Sequence, residues 1–159
     1  MRIVGIIIMK FLYIASAAIL AIQVGCSQKI DTVKSHVPFS VFSLSETNYE
    51  WEEFVYPHNS EVVVINSYED FDNYIKTTDK NNITTIPIDF SLQSLILARG
   101  VEPYACHTEI LDLQYIPDKG YVMIMNMSTS LATVITNWNV ALLTSKIHDG
   151  EKVSLVIDN

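Results

Sequence analysis

Residues 121–127 read YVMIMNM. Strand side chains alternate between two faces, so Tyr121, Met123, Met125 and Met127 fall on one side and Val122 and Ile124 on the other. A strand apolar on both faces is a central strand, covered on both sides. Just before it, PDKG (117–120) sits where a hairpin turn belongs, since glycine supplies positive φ at no steric cost. TEILDLQYI (108–116) is then the partner strand, and SLILAR (94–99) and EVVVIN (61–66) are strands further upstream. Downstream, NVALLTSKI (139–147) and KVSLVI (152–157) flank a second hairpin turn at Asp149-Gly150. Near the front, FSVFSL (39–44) and YEWEEFVY (49–56) are β-rich runs separated by a turn at 45–48. In the second of these, Tyr49 and Trp51 share one face while Glu50 and Glu52 take the other.

One segment carries a different period. SYEDFDNYIK (67–76) predicts a helix, with Ser67 capping the first turn and Asp70 completing a capping-box-like pattern. Glu69 and Asp70 suit the positive end of the helix dipole and Lys76 the negative end. Tyr68, Phe71, Tyr74 and Ile75 form the apolar stripe, and Asp72 can pair with Lys76 four residues on. TTDKNNITTIP (77–87) is loop. The expected fold is α+β: a mostly antiparallel sheet, curved or two-layered, with one capped α-helix packed on it.

The first 25 residues read as a targeting segment. Arg2 and Lys10 precede an apolar run from Phe11 to Val24, which is short of the roughly 20 residues a membrane span needs. MKFLYIASAAILAIQVGC from Met9 makes the better leader, so translation from Met9 is expected, with Met1 as the alternative. The run ends in QVGC (23–26), which resembles the bacterial lipobox. That resemblance implies acylation of the Cys26 thiol and cleavage before it, with Cys26 as the first mature residue and the small Gly25 giving the peptidase access. Gln23 stands where the family prefers leucine. The alternatives are an uncleaved signal anchor and an ordinary signal peptide cleaved near Gly25. Several acyl chains on one cysteine anchor stably, whereas a single chain is marginal. Ser27, in place of aspartate, resembles the sorting pattern of outer-membrane lipoproteins, and SQKID (27–31) resembles surface-export tags; periplasmic face and cell surface both stay open. The expected organisation is a signal peptide (1–25), a tether (26–37) and a single domain (38–159). A coil the length of this tether spans roughly 20 Å, which would keep the domain close to the bilayer.

The mature chain would keep 8 basic residues against 18 acidic ones, because Arg2 and Lys10 leave with the leader: 8 − 18 = −10. Nucleic acid is a poor partner for such a surface, and anionic lipid would repel it. If Cys26 is acylated, Cys106 is the one cysteine left, and an internal disulfide is excluded. The core must therefore hold by packing, for which the mature length suffices.

Three stretches, VINSYEDFDNYI (64–75), IDFSLQSLILARG (88–100) and TVITNWNVALLTSKI (133–147), resemble in that order a group of small uncharacterised lipoproteins of gut anaerobes. More distantly they resemble the C-terminal domain of the protease-complex subunit PrcB. The shared marks here are Ser67, Asp89-Phe90, Gly100 and Trp138 onward, over roughly residues 61–157. The resemblance implies an α+β fold and a link to an extracytoplasmic protease, and no catalytic residues. Where PrcB-like domains often carry a Gly-Gly pair, this chain has EPYACHTE (102–109).

Candidate chemistry is sparse. Cys106 beside His107 suggests a thiol nucleophile, but strand neighbours point to opposite faces, so His107 cannot serve as its base. The base would have to be His36, His58 or His148, and a single cysteine is more often a small buried hydrophobe. The four histidines stand 22, 49 and 41 residues apart, without short ligand spacing. The acids of YEWEEF and SYEDFD lack the Gly-punctuated Asp loop of a calcium site. Trp51, Trp138 and the tyrosines could stack on sugar faces, although aromatics at strand positions usually fill cores. No catalytic residue, cofactor or metal site is expected. The expectation is a lipid-anchored, non-catalytic binding or accessory domain for an envelope or surface protein. Modulation of an extracytoplasmic protease, by stabilising or inhibiting it, is the first alternative, and glycan binding the second.

Overall fold

Ten strands carry the architecture of the computed structural model, which describes residues 34–55, 59–79 and 85–158. Cys26 and the whole segment read as a leader lie outside those residues, as does His58. In chain order the strands are β1 (Ser35–His36), β2 (Phe39–Phe42), β3 (Tyr49–Trp51), β4 (Ser60–Ile65), β5 (Ile75–Thr77), β6 (Gln93–Glu102), β7 (Cys106–Ile116), β8 (Gly120–Thr129), β9 (Thr136–Ser145) and β10 (Val153–Asp158). One sheet, called A here, has the order β1-β7-β8-β10; the second, B, has the order β2-β9-β6-β4; β3 and β5 form a ribbon. Ser35 and His36, at the end of the segment read as a tether, pair with Tyr115 and Gln114 of β7.

Sheets A and B face each other across an apolar layer. Met123, Met125 and Met127 of β8 and Leu113 of β7 meet Ile96 and Ala98 of β6 and Trp138 and Leu142 of β9 there. A second apolar layer lies on the far side of sheet B. Leu95, Leu97, Ile65 and Ala141 pack there under Phe71, Ile86, Ile88 and Phe90, with Trp51, Tyr74 and Ile75 of the ribbon region against them. Edge-to-face contacts among Phe42, Trp51 and Phe71 at 5.9–6.3 Å stitch this layer. The strand covered on both faces is therefore β6, in which Leu95, Ile96, Leu97 and Ala98 are all fully buried. On the outer face of β8, Val122 is buried and Ile124 half-buried beside Gln114 and Asp112 of β7, so its cover on that side is less complete than on the methionine face.

The helix is corrected. α1 spans only Tyr68–Phe71, with Ser67 Oγ accepting the Asp70 amide at 3.0 Å as the cap requires. One turn barely meets the cost of nucleation, and Ile75-Lys76-Thr77 gain more by pairing with β3. Lys76 consequently lies 3.5 Å from Glu50 across that ribbon instead of pairing with Asp72. Tyr49 and Trp51 do turn inward together, with Glu50 outward.

The sheets are mostly antiparallel, with one exception: β10 runs parallel to β8. The turn at Gly150 (φ 91°) therefore does not close a hairpin; β9 belongs to sheet B and β10 to sheet A. The PDKG turn is a hairpin, and its Asp118 and Gly120 take positive φ (67° and 85°). β7 carries an irregularity between Ile110 and Asp112, where Leu111 has no partner. That extra residue resets the alternation. Ile110 and Leu113 both reach the inner layer, while Asp112 and Gln114 face outward.

Candidate functional site

Cys106 opens β7 and is half-buried against the inter-sheet layer. Burial, aided by the nearby Glu102 carboxylate, pushes its thiol above the ordinary cysteine range. A thiol shifted that way holds little thiolate at neutral pH and is a poor nucleophile. His107 is exposed beside it, His36 lies 3.0 Å from Asp112, and the His148 amide donates to Glu151. Among the described residues no three His, Cys, Asp or Glu side chains gather as a metal site, and no helix is long and apolar enough to cross a membrane.

Most polar side chains that do meet hold the fold. Ser94 is fully buried; its hydroxyl donates to Asn66 Oδ1 and accepts the Ile147 amide at 2.9 Å. Asn66 Nδ2 donates to the Ile147 carbonyl, and Lys146 Nζ donates to the Asn66 and Phe90 carbonyls at 3.0 and 2.7 Å. Together they fasten the end of β9 to β4 and to the start of β6. Arg99 meets Glu61 at 2.6 Å and lies over the rings of Phe54 and Tyr74. The Asp89 carboxylate accepts the Ser91 hydroxyl and amide, which lowers its pKa and closes the turn into β6. Tyr68 hydroxyl donates to the Ile86 and Ile88 carbonyls, pinning that loop over Phe90. Trp138 is buried beside Gly100, its register partner, where an added Cβ would come within 2.5 Å of the indole. The marks Ser67, Asp89-Phe90, Gly100 and Trp138 are thus a cap, a turn and a close backbone approach. Both tryptophans lie in apolar layers.

Exposed apolar surface concentrates at one pole, where the β6–β7 turn and the β8–β9 loop clasp each other. The Ala105 amide donates to the Ala132 carbonyl and the Ser130 amide to the Ala105 carbonyl. Around this clasp Leu131 is fully exposed, Ile135 75% and Val134 57%, with Tyr104 nearby at 45%. The signal for this pole lies in the sequence, because positions 120–145 contain no Asp, Glu, Lys, Arg or His. In an acidic chain so long an uncharged stretch marks more than two strands.

Two strand edges begin at the same pole. β2 pairs with β9 only as far as Ala141, leaving Thr136–Val140 without a strand neighbour on that side among the described residues. β1 pairs with β7 only at Gln114 and Tyr115, so the stretch from Cys106 to Ile110 has a free edge among the described residues. Between them runs a groove of about 480 Å³ lined by Phe42, Glu109, Ile110, Asn139 and Val140 among others, with Val41 at its mouth 70% exposed. Asn139 Oδ1 is buried without a hydrogen-bond partner on the other face of sheet B, the one that carries its register partner Arg99. No family model matches the chain, and neither a curated protein nor a solved structure matches it.

Proposed function

We propose that this chain is a cell-envelope lipoprotein, anchored through acylated Cys26 at an outer membrane, whose β domain is a non-catalytic binding module for another envelope or surface protein. The observation that carries the reading is the exposed apolar pole formed by Tyr104, Leu131, Val134 and Ile135. Contiguous exposed apolar surface marks interaction sites in soluble domains. The place where the chain enters the domain agrees with it. β1 meets β7 at Tyr115, beside the PDKG hairpin, while the pole lies at the other end of β7, beyond Cys106. At about 3.3 Å per strand residue, the pole stands roughly 30 Å along β7 from the point where β1 joins it.

Capture with the full acylated chain from membranes tests the reading. A reproducible partner is expected, reduced by Leu131→Ser with Ile135→Ser, and lost with Cys26→Ser, which leaves the domain unanchored. An extracytoplasmic protease as that partner would make the module a protease modulator. Recovery of nothing above the Cys26→Ser control would end the proposal, as would a mature chain without acyl mass on Cys26.

A further inference from the structure

We infer that the aromatic cavity between α1, the ribbon and the loop at 86–90 is a binding site for a small quaternary ammonium ligand of the choline type. The cavity measures about 210 Å³ and is lined by Tyr49, Tyr68, Phe71, Asp72, Ile75 and Ile86 among others. Pockets for drug-sized ligands run to about 300–1,000 Å³, so this one admits a head group of a few heavy atoms. Phe71, 1% exposed, is its most buried ring. Tyr68 is 49% exposed and Tyr49 half-buried, so both rings stay accessible beside it. The walls are held in place without a ligand. Tyr68 Oη donates to the Ile86 and Ile88 carbonyls, the Tyr74 amide to the Phe71 carbonyl and the Glu52 amide to the Tyr74 carbonyl. These bonds fix α1, the loop and the ribbon to one another, and a site fixed in advance loses little freedom when it is filled.

The chemistry of the lining selects the occupant. Aromatic faces carry the negative side of a quadrupole and attract a cation. Three aromatic residues meet here with one carboxylate, and the lining holds neither Lys nor Arg. Asp72 is exposed and does not pair with Lys76, which meets Glu50 instead, so its charge is available to a ligand. A primary ammonium would bring three N–H donors that each need an acceptor. The lining offers few of those, because the Ile86 carbonyl already accepts both the Tyr68 hydroxyl and the Ile88 amide. A quaternary ammonium has no N–H to satisfy and carries its charge beneath methyl groups that pack on rings. No residue of the apolar pole lines this cavity, so the site stands apart from the binding-module reading.

The test uses the full chain in uncharged maltoside micelles, with choline as the probe. The control is its neutral isostere, in which a tert-butyl group replaces trimethylammonium. Ring-proton shifts of Tyr49 and Tyr68 should saturate with choline, and nuclear Overhauser contacts should run from the choline methyls to those rings. Choline should bind about tenfold more tightly than the isostere. Asp72→Asn, at an exposed position, should weaken choline severalfold and leave the isostere unchanged. Tyr49→Leu should erase the preference for choline, with urea denaturation confirming that the variant is folded. Phosphocholine separates the sources of the ligand. Its refusal assigns the site to a free ammonium compound and its binding to a lipid head group as well, and either result supports the site. No saturation, equal affinity for the isostere, contacts to other rings, or a choline affinity unchanged in Asp72→Asn overturns the inference. So does lysine methyl ester bound as tightly as choline, which would make the cavity a receptor for a primary ammonium.

Discussion

β6 and β8 are both interior strands of their sheets, and both carry apolar side chains on both faces, yet they live in different surroundings. β6 runs through the middle of three layers, with Ile96 and Ala98 facing sheet A and Leu95 and Leu97 facing α1, the ribbon and the loop at 86–90. β8 is covered unevenly. Its Met123, Met125 and Met127 are buried between the sheets, whereas on the outer face Val122 is buried and Ile124 only half-buried beside the Gln114 and Asp112 side chains. Alternation says which side chains share a face. It does not say whether a further layer lies over that face, because distant segments supply the layer. For β6 those segments are Phe71, Ile86, Ile88 and Phe90.

The largest expected effect follows from β6. Leu97→Ala empties a site with no exposure and should lower unfolding free energy by about 2–5 kcal/mol, read by urea denaturation. Gly100→Ala comes next, at about 1–3 kcal/mol. Its Cβ would press on Trp138 at 2.5 Å and on the Asn59 carbonyl at 2.9 Å, and the latter is backbone. The contrast is sharpened by Ile124→Ala on the outer face of β8, for which about 1 kcal/mol is expected. Equal losses for Leu97→Ala and Ile124→Ala would break the distinction and place a covering layer over sheet A.

Much of the strand order was legible because its signals are local. The positive φ of the PDKG turn, the inward pairing of Tyr49 with Trp51 and the Ser67 cap all rest on residues a few positions apart. What failed was decided at a distance. Asp149-Gly150 looks like a hairpin turn, but Leu155 and Ile157 fill the inter-sheet layer only when β10 joins sheet A. Helix periodicity over 67–76 lost to the pairing of Ile75 with Trp51. The irregularity at Leu111 has no marker in TEILDLQYI; strict alternation would have placed Asp112 on the same face as Ile110, in the core. The pole and groove depend on where β1 and β2 stop, and no residue type announces that. The uncharged run at 120–145 was the one available hint, and its strand periodicity masked it.

The smallest effect concerns what lies over the outer face of β8 in place of a layer. Asp112 stands opposite Ile124, accepts from Gln114 Nε2 at 2.7 Å and meets His36 Nδ1 at 3.0 Å, so three polar side chains tie β1 to the outer face of sheet A. Burial alone would raise its pKa, but the hydrogen bonds from Gln114 and His36, together with the charge of protonated His36, outweigh it and hold the carboxyl below the ordinary range. A depressed folded pKa contributes stability above the unfolded value, near 3.9, that is lost as pH falls through the folded value. Asp112→Asn should therefore cost about 0.5 kcal/mol or less at neutral pH, as partly exposed pairs do. It should also remove part of the stability loss that sets in as pH falls below about 4. An acid limb identical in wild type and variant would mean that the carboxylate does not hold β1 to this face, and that Val122 and Ile124 are shielded by β7 and β10 alone.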